Sequence, residues 1–123
     1  MAYHPLNLAL RFLLELVALA AMASYGWQMT DSRPLSVLAA VVLPVVAASL
    51  WGVFAVPADR SRSGEAPVPV TGPVRLALEL AFFGFGVWCL YESGARTLSL
   101  VLGAVVLVHY VSSYDRIRWL LGL

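Results

Sequence analysis

Four long apolar stretches, at about residues 6–29, 35–56, 74–91 and 98–114, constrain this chain more than any other feature. Roughly 20 apolar residues in a helix cross a hydrocarbon core about 30 Å thick. The first two stretches reach that length, and the last two need local thinning of the bilayer or anchoring flanks. In hydrocarbon every backbone N–H and C=O must be bonded internally, and these runs lack the period-2 alternation of barrel strands, so each is expected to be a helix. Composition agrees: 61% of residues are hydrophobic and 12% charged, against about half and a quarter in an ordinary soluble domain. The expected fold is all-α, an integral membrane four-helix bundle forming one transmembrane domain over residues 1–123.

The breaks between stretches carry turn chemistry. Thr30-Asp31-Ser32-Arg33-Pro34 and Glu92 to Thr97 read as tight polar turns, and the longer segment 57–73 contains Pro57, Ser61, Ser63, Gly64, Pro67 and Pro69. That segment is the one expected to be mobile. Pro73 suits the first turn of the third helix, whereas Pro44 lies inside the second, where it removes a donor for the Ala40 carbonyl and predicts a kink that shapes packing. Ala21-Met22-Ala23 resembles a leader cleavage site, but Glu15 would then sit inside the leader's apolar core, so the first stretch is expected to be a permanent span.

Arginine sets the orientation, since every basic residue other than histidine is Arg. With four spans both termini share a side, which receives Arg11, Arg60, Arg62, Arg75, Arg116 and Arg118 against Arg33 and Arg96 on the other. Positive charge collects on the cytoplasmic side, so both termini and the loop 57–73 are expected there. Trp51 and Trp119 then fall near the cytoplasmic interface, and Trp27 and Trp88 near the outer one, as an aromatic belt requires. The tail beyond Tyr114 is expected to leave the bilayer or lie along its inner surface. A net charge of +1 offers no basic footprint for nucleic acid, and the single Cys89 excludes an internal disulfide or a thiolate metal cluster.

An internal repeat gives the layout. A shift of 64 positions lays Arg11 on Arg75 and Glu15 on Glu79, and the same ungapped shift lays Val37 to Leu43 on Val101 to Leu107. Matches of Leu, Val and Ala are cheap in an apolar chain, whereas two Arg and two Glu at one offset are not. The repeats, residues 6–56 and 70–120, are then tandem two-helix hairpins of one topology, related by an axis along the membrane normal. Only Pro73 and Val74 of the third span precede Arg75, which places it, and by symmetry Arg11, at the cytoplasmic interface, with Glu15 and Glu79 about 6 Å deeper.

A charge at that depth needs a partner. Arg11 with Glu15 and Arg75 with Glu79 can meet at i,i+4, although Arg-before-Glu is the poorer order; the crossed pairs Arg11 with Glu79 and Arg75 with Glu15 satisfy the same symmetry. His109 on the fourth helix reaches similar depth and can join this intramembrane cluster. Two Arg and two Glu cancel in charge, which favours a structural lock over a titrating site. His109 and Cys89 are read as packing residues, Gly84, Gly86 and the alanines Ala18, Ala20, Ala21 and Ala23 as sites of close helix approach, and His4 and Asn7 as interfacial. No catalytic residues, metal ligands or cofactor site can be read.

The opening Leu6 to Leu16, with its Asn-x-x-x-Arg-x-x-x-Glu string, together with Tyr25-Gly26-Trp27, Leu50-Trp51-Gly52-Val53-Phe54-Ala55-Val56-Pro57 and Arg75 to Leu80, resembles the YrdB family of small, uncharacterised bacterial four-span membrane proteins. The resemblance covers most of the chain. It implies a multi-pass protein of the bacterial inner membrane with no established activity. The segment containing Ser61 to Gly64 departs from the shorter connection typical of that family. The expected function is non-enzymatic: an accessory, scaffold or interaction module whose partners are the lipid bilayer and either a second copy or a larger membrane complex. The alternative is a small proton-coupled transporter or channel using Glu15 or Glu79, since the chain resembles small multidrug transporters in length, span number and a first-helix Glu. The strong arginine bias between the two sides argues against that alternative.

Overall fold

The computed structural model describes residues 2–60 and 66–123 and is predominantly helical. Helix α1 spans Pro5–Gln28; Pro5 occupies the first turn, and the His4 ring caps it by accepting the Leu6 N–H through Nδ1 at 3.2 Å. A short turn, held by the Ser36 hydroxyl donating to the Thr30 carbonyl at 2.8 Å, leads into α2, Arg33–Val53, which runs through Pro44 as one continuous helix. Helix α3 spans Gly72–Glu92, and Gly94, at φ +94°, supplies the left-handed residue of the turn after it. Helix α4 spans Arg96–Ser112 and α5 spans Tyr114–Leu120, with a 71° bend between them. Helices α1, α2 and α3 are long and apolar enough to cross a membrane, and α4 with α5 makes a fourth if the bent pair is one span.

Helix α1 packs on α2 on one side and α3 on the other; α3 also packs on α4, while α2 and α3 barely touch. The core lies among α1, α3 and α4, on Leu14, Ala18, Met22, Phe82, Phe83, Leu102, Val106 and Tyr110. Two of these crossings depend on missing side chains. A Cβ on Gly86 would stand 2.8 Å from Ala18 Cβ at the α1/α3 contact, and one on Gly26 would stand 2.6 Å from the Ala39 carbonyl at the α1/α2 contact. Gly84 does not serve close approach as expected: its face of α3 is open, with nothing within 4 Å of a Cβ placed there. Ala20 likewise points outward, whereas Ala18 and Ala21 are buried.

The second helix ends at Val53 rather than near residue 56 because Phe54–Ala55 turns extended and forms strand β1. It pairs in parallel with β2, Val68–Pro69, in the register Phe54↔Val68 and Ala55↔Pro69. The described part of the segment expected to be mobile is therefore tied down: Val70 N–H donates to the Ala55 carbonyl at 2.8 Å and Asp59 is buried. Ser61, Arg62, Ser63 and Gly64 lie outside the described residues. The tail is also less free than expected. Arg116 and Leu120 of α5 are buried, and the Leu120 backbone lies so close to Gly72 that any Cβ there would clash with it.

Candidate functional site

Helix periodicity assembles the site. Asn7, Arg11, Leu14, Ala18 and Met22 follow one another at three- and four-residue steps along the buried stripe of α1, and Arg75, Glu79, Phe82, Phe83 and Gly86 do so on α3. Where the two stripes meet, Glu79 is wholly enclosed and accepts from four side chains. Its Oε2 receives Arg75 Nε at 2.8 Å and a terminal nitrogen of Arg116 at 2.7 Å, and pairs with a terminal nitrogen of Arg11 at 3.1 Å. Its Oε1 receives the second Arg116 terminal nitrogen at 2.8 Å and the Tyr110 hydroxyl at 2.9 Å. One carboxylate thus joins α1, α3, α4 and α5.

Arg116 extends the cluster. Beyond its two-pronged grip on Glu79 it donates to Asp59 through Nε at 3.3 Å and a terminal nitrogen at 2.6 Å. Such forked, charge-assisted geometry is the arrangement in which guanidinium is most selective for carboxylate. Arg75 reaches the other way, donating to the carbonyls of Trp51 and Phe54, which the end of α2 leaves without helical partners. The Trp51 ring lies beneath two guanidiniums, Arg75 at 4.5 Å and Arg11 at 5.0 Å from its centroid, and packs against Phe82 and Phe83. Trp51 is therefore a platform for the cluster, while Trp27 and Trp88, at the far end of their helices, are exposed.

Of the five residues expected in the cluster, Arg11, Arg75 and Glu79 meet directly. Glu15 is peripheral: its ion pair with Arg11 is 3.5 Å long and its side chain is 21% exposed. Of the crossed pairs only Arg11 with Glu79 forms, and among the described residues no ion pair joins Arg75 to Glu15. His109 does not enter the carboxylate shell, which Tyr110, the next residue, occupies instead. Its Nδ1 faces Asn7 Oδ1 at 3.0 Å, while Asn7 Nδ2 donates to the Ser113 hydroxyl at 2.8 Å. This chain pins α1 to the α4/α5 bend, so Asn7 is a buried connector; His4 caps α1 at the exposed end. Cys89 is buried packing, as expected.

Sequence reasoning missed Asp59, Arg116, Tyr110, Trp51 and Ser113. Tyr110 could have been found from the buried stripe Ser99, Leu102, Val106, His109 and Tyr110 on α4. Arg116 and Asp59 carry no local signal, because both arrive from beyond the spans. With them the charges still balance, three Arg against Glu15, Glu79 and Asp59. Among the described residues no group of three His, Cys, Asp or Glu side chains converges as metal ligands would.

The chain matches the family described as "Protein of unknown function (DUF2568)" over residues 9–107. It is 41% identical over 116 residues, 94% of either chain, to the uncharacterized protein YrdB of Bacillus subtilis (strain 168). No solved structure matches it. The matched region runs through all three long apolar helices and both halves of the Arg11/Glu79 contact, and on that coverage the chain belongs to the DUF2568 family of proteins of unknown function.

Proposed function

We propose that this is a bacterial inner-membrane protein crossing four times, with both termini and the loop 57–73 cytoplasmic, and that it is a non-enzymatic accessory or scaffold module whose ion cluster is a structural lock. The observation that carries this reading is the enclosure of Glu79: three arginines and a tyrosine fill its lone pairs, leaving no site for water or a transported ion. A carboxylate that carries protons must be reached by them and must change partners, whereas this one joins four helices. Two tandem hairpins are supported by the packing pattern, in which α2 lies on α1 as α4 lies on α3, with α1 against α3 at the centre. They are supported too by the offset of 64 that relates Arg11 to Arg75 and Glu15 to Glu79.

One observation favours the transporter alternative: Glu15 is partly exposed and weakly paired. Vesicles containing the protein and trapped pyranine decide between the two. Under an imposed pH gradient, a lock predicts proton entry no faster than in protein-free vesicles. Gradient-driven entry that disappears in Glu15→Gln at unchanged thermal stability would overturn the reading.

A further inference from the structure

The turn at residues 57–60 follows β1 on the surface yet sends one carboxylate inward: Pro57, Ala58 and Arg60 are exposed, while Asp59 is buried. That placement needs an unusual backbone. Ala58 stands at φ +66°, in the left-handed region that a residue with a Cβ enters only at a cost, and such strain persists where neighbouring contacts hold it. Here the holding contacts are the two from Arg116 to Asp59, at 2.6 and 3.3 Å. The strand pair beside the turn contributes a ladder of two residues on each side. Helix α5, which carries Arg116, is as lightly mounted. It is seven residues long, is joined to α4 through Ser113 at a 71° bend, and lies with the Leu120 backbone against Gly72 of α3.

Charge balance ties the turn to the helix. Arg116 shares Glu79 with Arg75 and Arg11, so Glu79 cannot neutralise all three, and Asp59 supplies the balancing charge. With Asp59 withdrawn, three guanidiniums would face Glu79 and the partly exposed Glu15, and a buried charge without compensation is strongly destabilising. Arg11 and Arg75 lie within long helices and have no route out. Arg116 has one: backbone rotation at Ser113 carries it to water together with α5. We infer that the turn 57–60 and α5 form a two-part latch over Glu79, in which withdrawal of Asp59 releases Arg116 and α5 swings out about Ser113. Glu79 then loses both contacts from Arg116 and keeps Arg75, Arg11 and Tyr110. A pull on the exposed turn is thereby read at a carboxylate inside the bundle. This rests on the structural lock proposed above, to which it adds one releasable arm.

The test is the rate at which a water-soluble maleimide reacts with the full-length protein in mild-detergent micelles, read at each cysteine by peptide mass spectrometry. Leu120→Cys places a thiol at a buried position of α5, Ile117→Cys is a second reporter packed against the core, and native Cys89, buried in α3, is the internal reference. With Asp59 intact, both reporters are expected to react about a hundredfold more slowly than in the denatured chain. Adding Asp59→Asn is expected to raise their rates about tenfold or more while Cys89 changes less than about twofold. Ala58→Pro keeps every charge but fixes φ near about −65°, and is expected to have the same effect; Ala58→Gly takes the left-handed conformation freely and is expected not to speed labelling. Unchanged reporter rates in both Asp59→Asn and Ala58→Pro overturn the latch. So does a rise at Cys89 that matches the reporters, which would show general loosening instead of release of α5. Reporters that both react as fast as the denatured chain while Asp59 is intact would instead refute the lock itself, since Arg116 would then not be held on Glu79.

Discussion

Glu79→Gln is the substitution that most directly tests the lock. Oε2 of Glu79 faces nitrogens of Arg75, Arg116 and Arg11, and Oε1 faces a further Arg116 nitrogen and the Tyr110 hydroxyl. Glutamine keeps one acceptor oxygen and replaces the other with a donor NH2. Because Arg116 grips both oxygens, the new NH2 meets an Arg116 nitrogen whichever way the amide is turned. The cluster also loses one negative charge, leaving three Arg against Glu15 and Asp59 in a site closed to water. Removing one partner of a buried ion pair costs about 3–5 kcal/mol, because the remaining charge is left uncompensated. Single hydrogen bonds between membrane helices are worth much less, about 0.6 kcal/mol on average, since the unfolded chain finds other partners in the bilayer. The larger figure governs here, as the two or three contacts to the replaced oxygen fail together and a charge is orphaned.

Reversible unfolding in mixed detergent micelles, followed by circular dichroism, reads the difference. Glu79→Gln is expected to destabilise by about 3–5 kcal/mol. The double variant Arg75→Met, Glu79→Gln restores neutrality, and its cost is expected to fall below the sum of the single changes by about 1–3 kcal/mol. Glu15→Gln, by contrast, loses a long, partly exposed ion pair and is expected to cost less than about 1 kcal/mol. A Glu79→Gln cost below about 1 kcal/mol, or single effects that add within about 0.5 kcal/mol, would refute the lock.

Gly86→Ala places a methyl against Ala18 Cβ and is expected to cost about 1–3 kcal/mol in the same assay, whereas Gly84→Ala, facing open space, is expected to be neutral or stabilising by up to about 1 kcal/mol. Asp59→Asn removes one of the two carboxylates on Arg116; proteolysis of the segment between β1 and β2 is expected to accelerate, and unchanged cleavage would mean that Asp59 does not hold it. Cysteines introduced at Asp31 and Ala58 are expected to label from opposite faces of the membrane, since Cys89 is buried and silent; labelling of both from outside intact cells would show dual orientation.

The helices were legible in the sequence because runs of about twenty apolar residues mark helices long enough to cross a membrane, and a window of that length tolerates errors of one or two residues at either end. The meeting of Arg11 with Glu79 was legible because helix spacing and the repeat confined it to a few pairings. What escaped was short or distant. Two-residue strands carry no periodicity, so the β1/β2 pair and the early end of α2 left no trace. The contacts of Asn7 and Trp51 escaped too, because their partners arrive from elsewhere: Ser113 and His109 for Asn7, two guanidiniums for Trp51.

The two-hairpin symmetry proposed above also bears on the lopsidedness of the cluster. If the hairpins are copies, offset 64 sets Tyr110 opposite Val46 and Arg116 opposite Gly52, so the second copy carries two donors where the first has none. Those donors converge on Glu79, while Glu15 keeps its 3.5 Å pair with Arg11 and remains partly exposed. The bend at Ser113 follows the same logic. Helix α2 continues past Ser49 to Val53, but α4 ends at Ser112 and turns by 71° into α5, bringing Arg116 onto Glu79 and Asp59. On the two-hairpin reading proposed above, a repeated pair of i,i+4 contacts becomes one strong centre in a single half, and the other half keeps the partly exposed carboxylate.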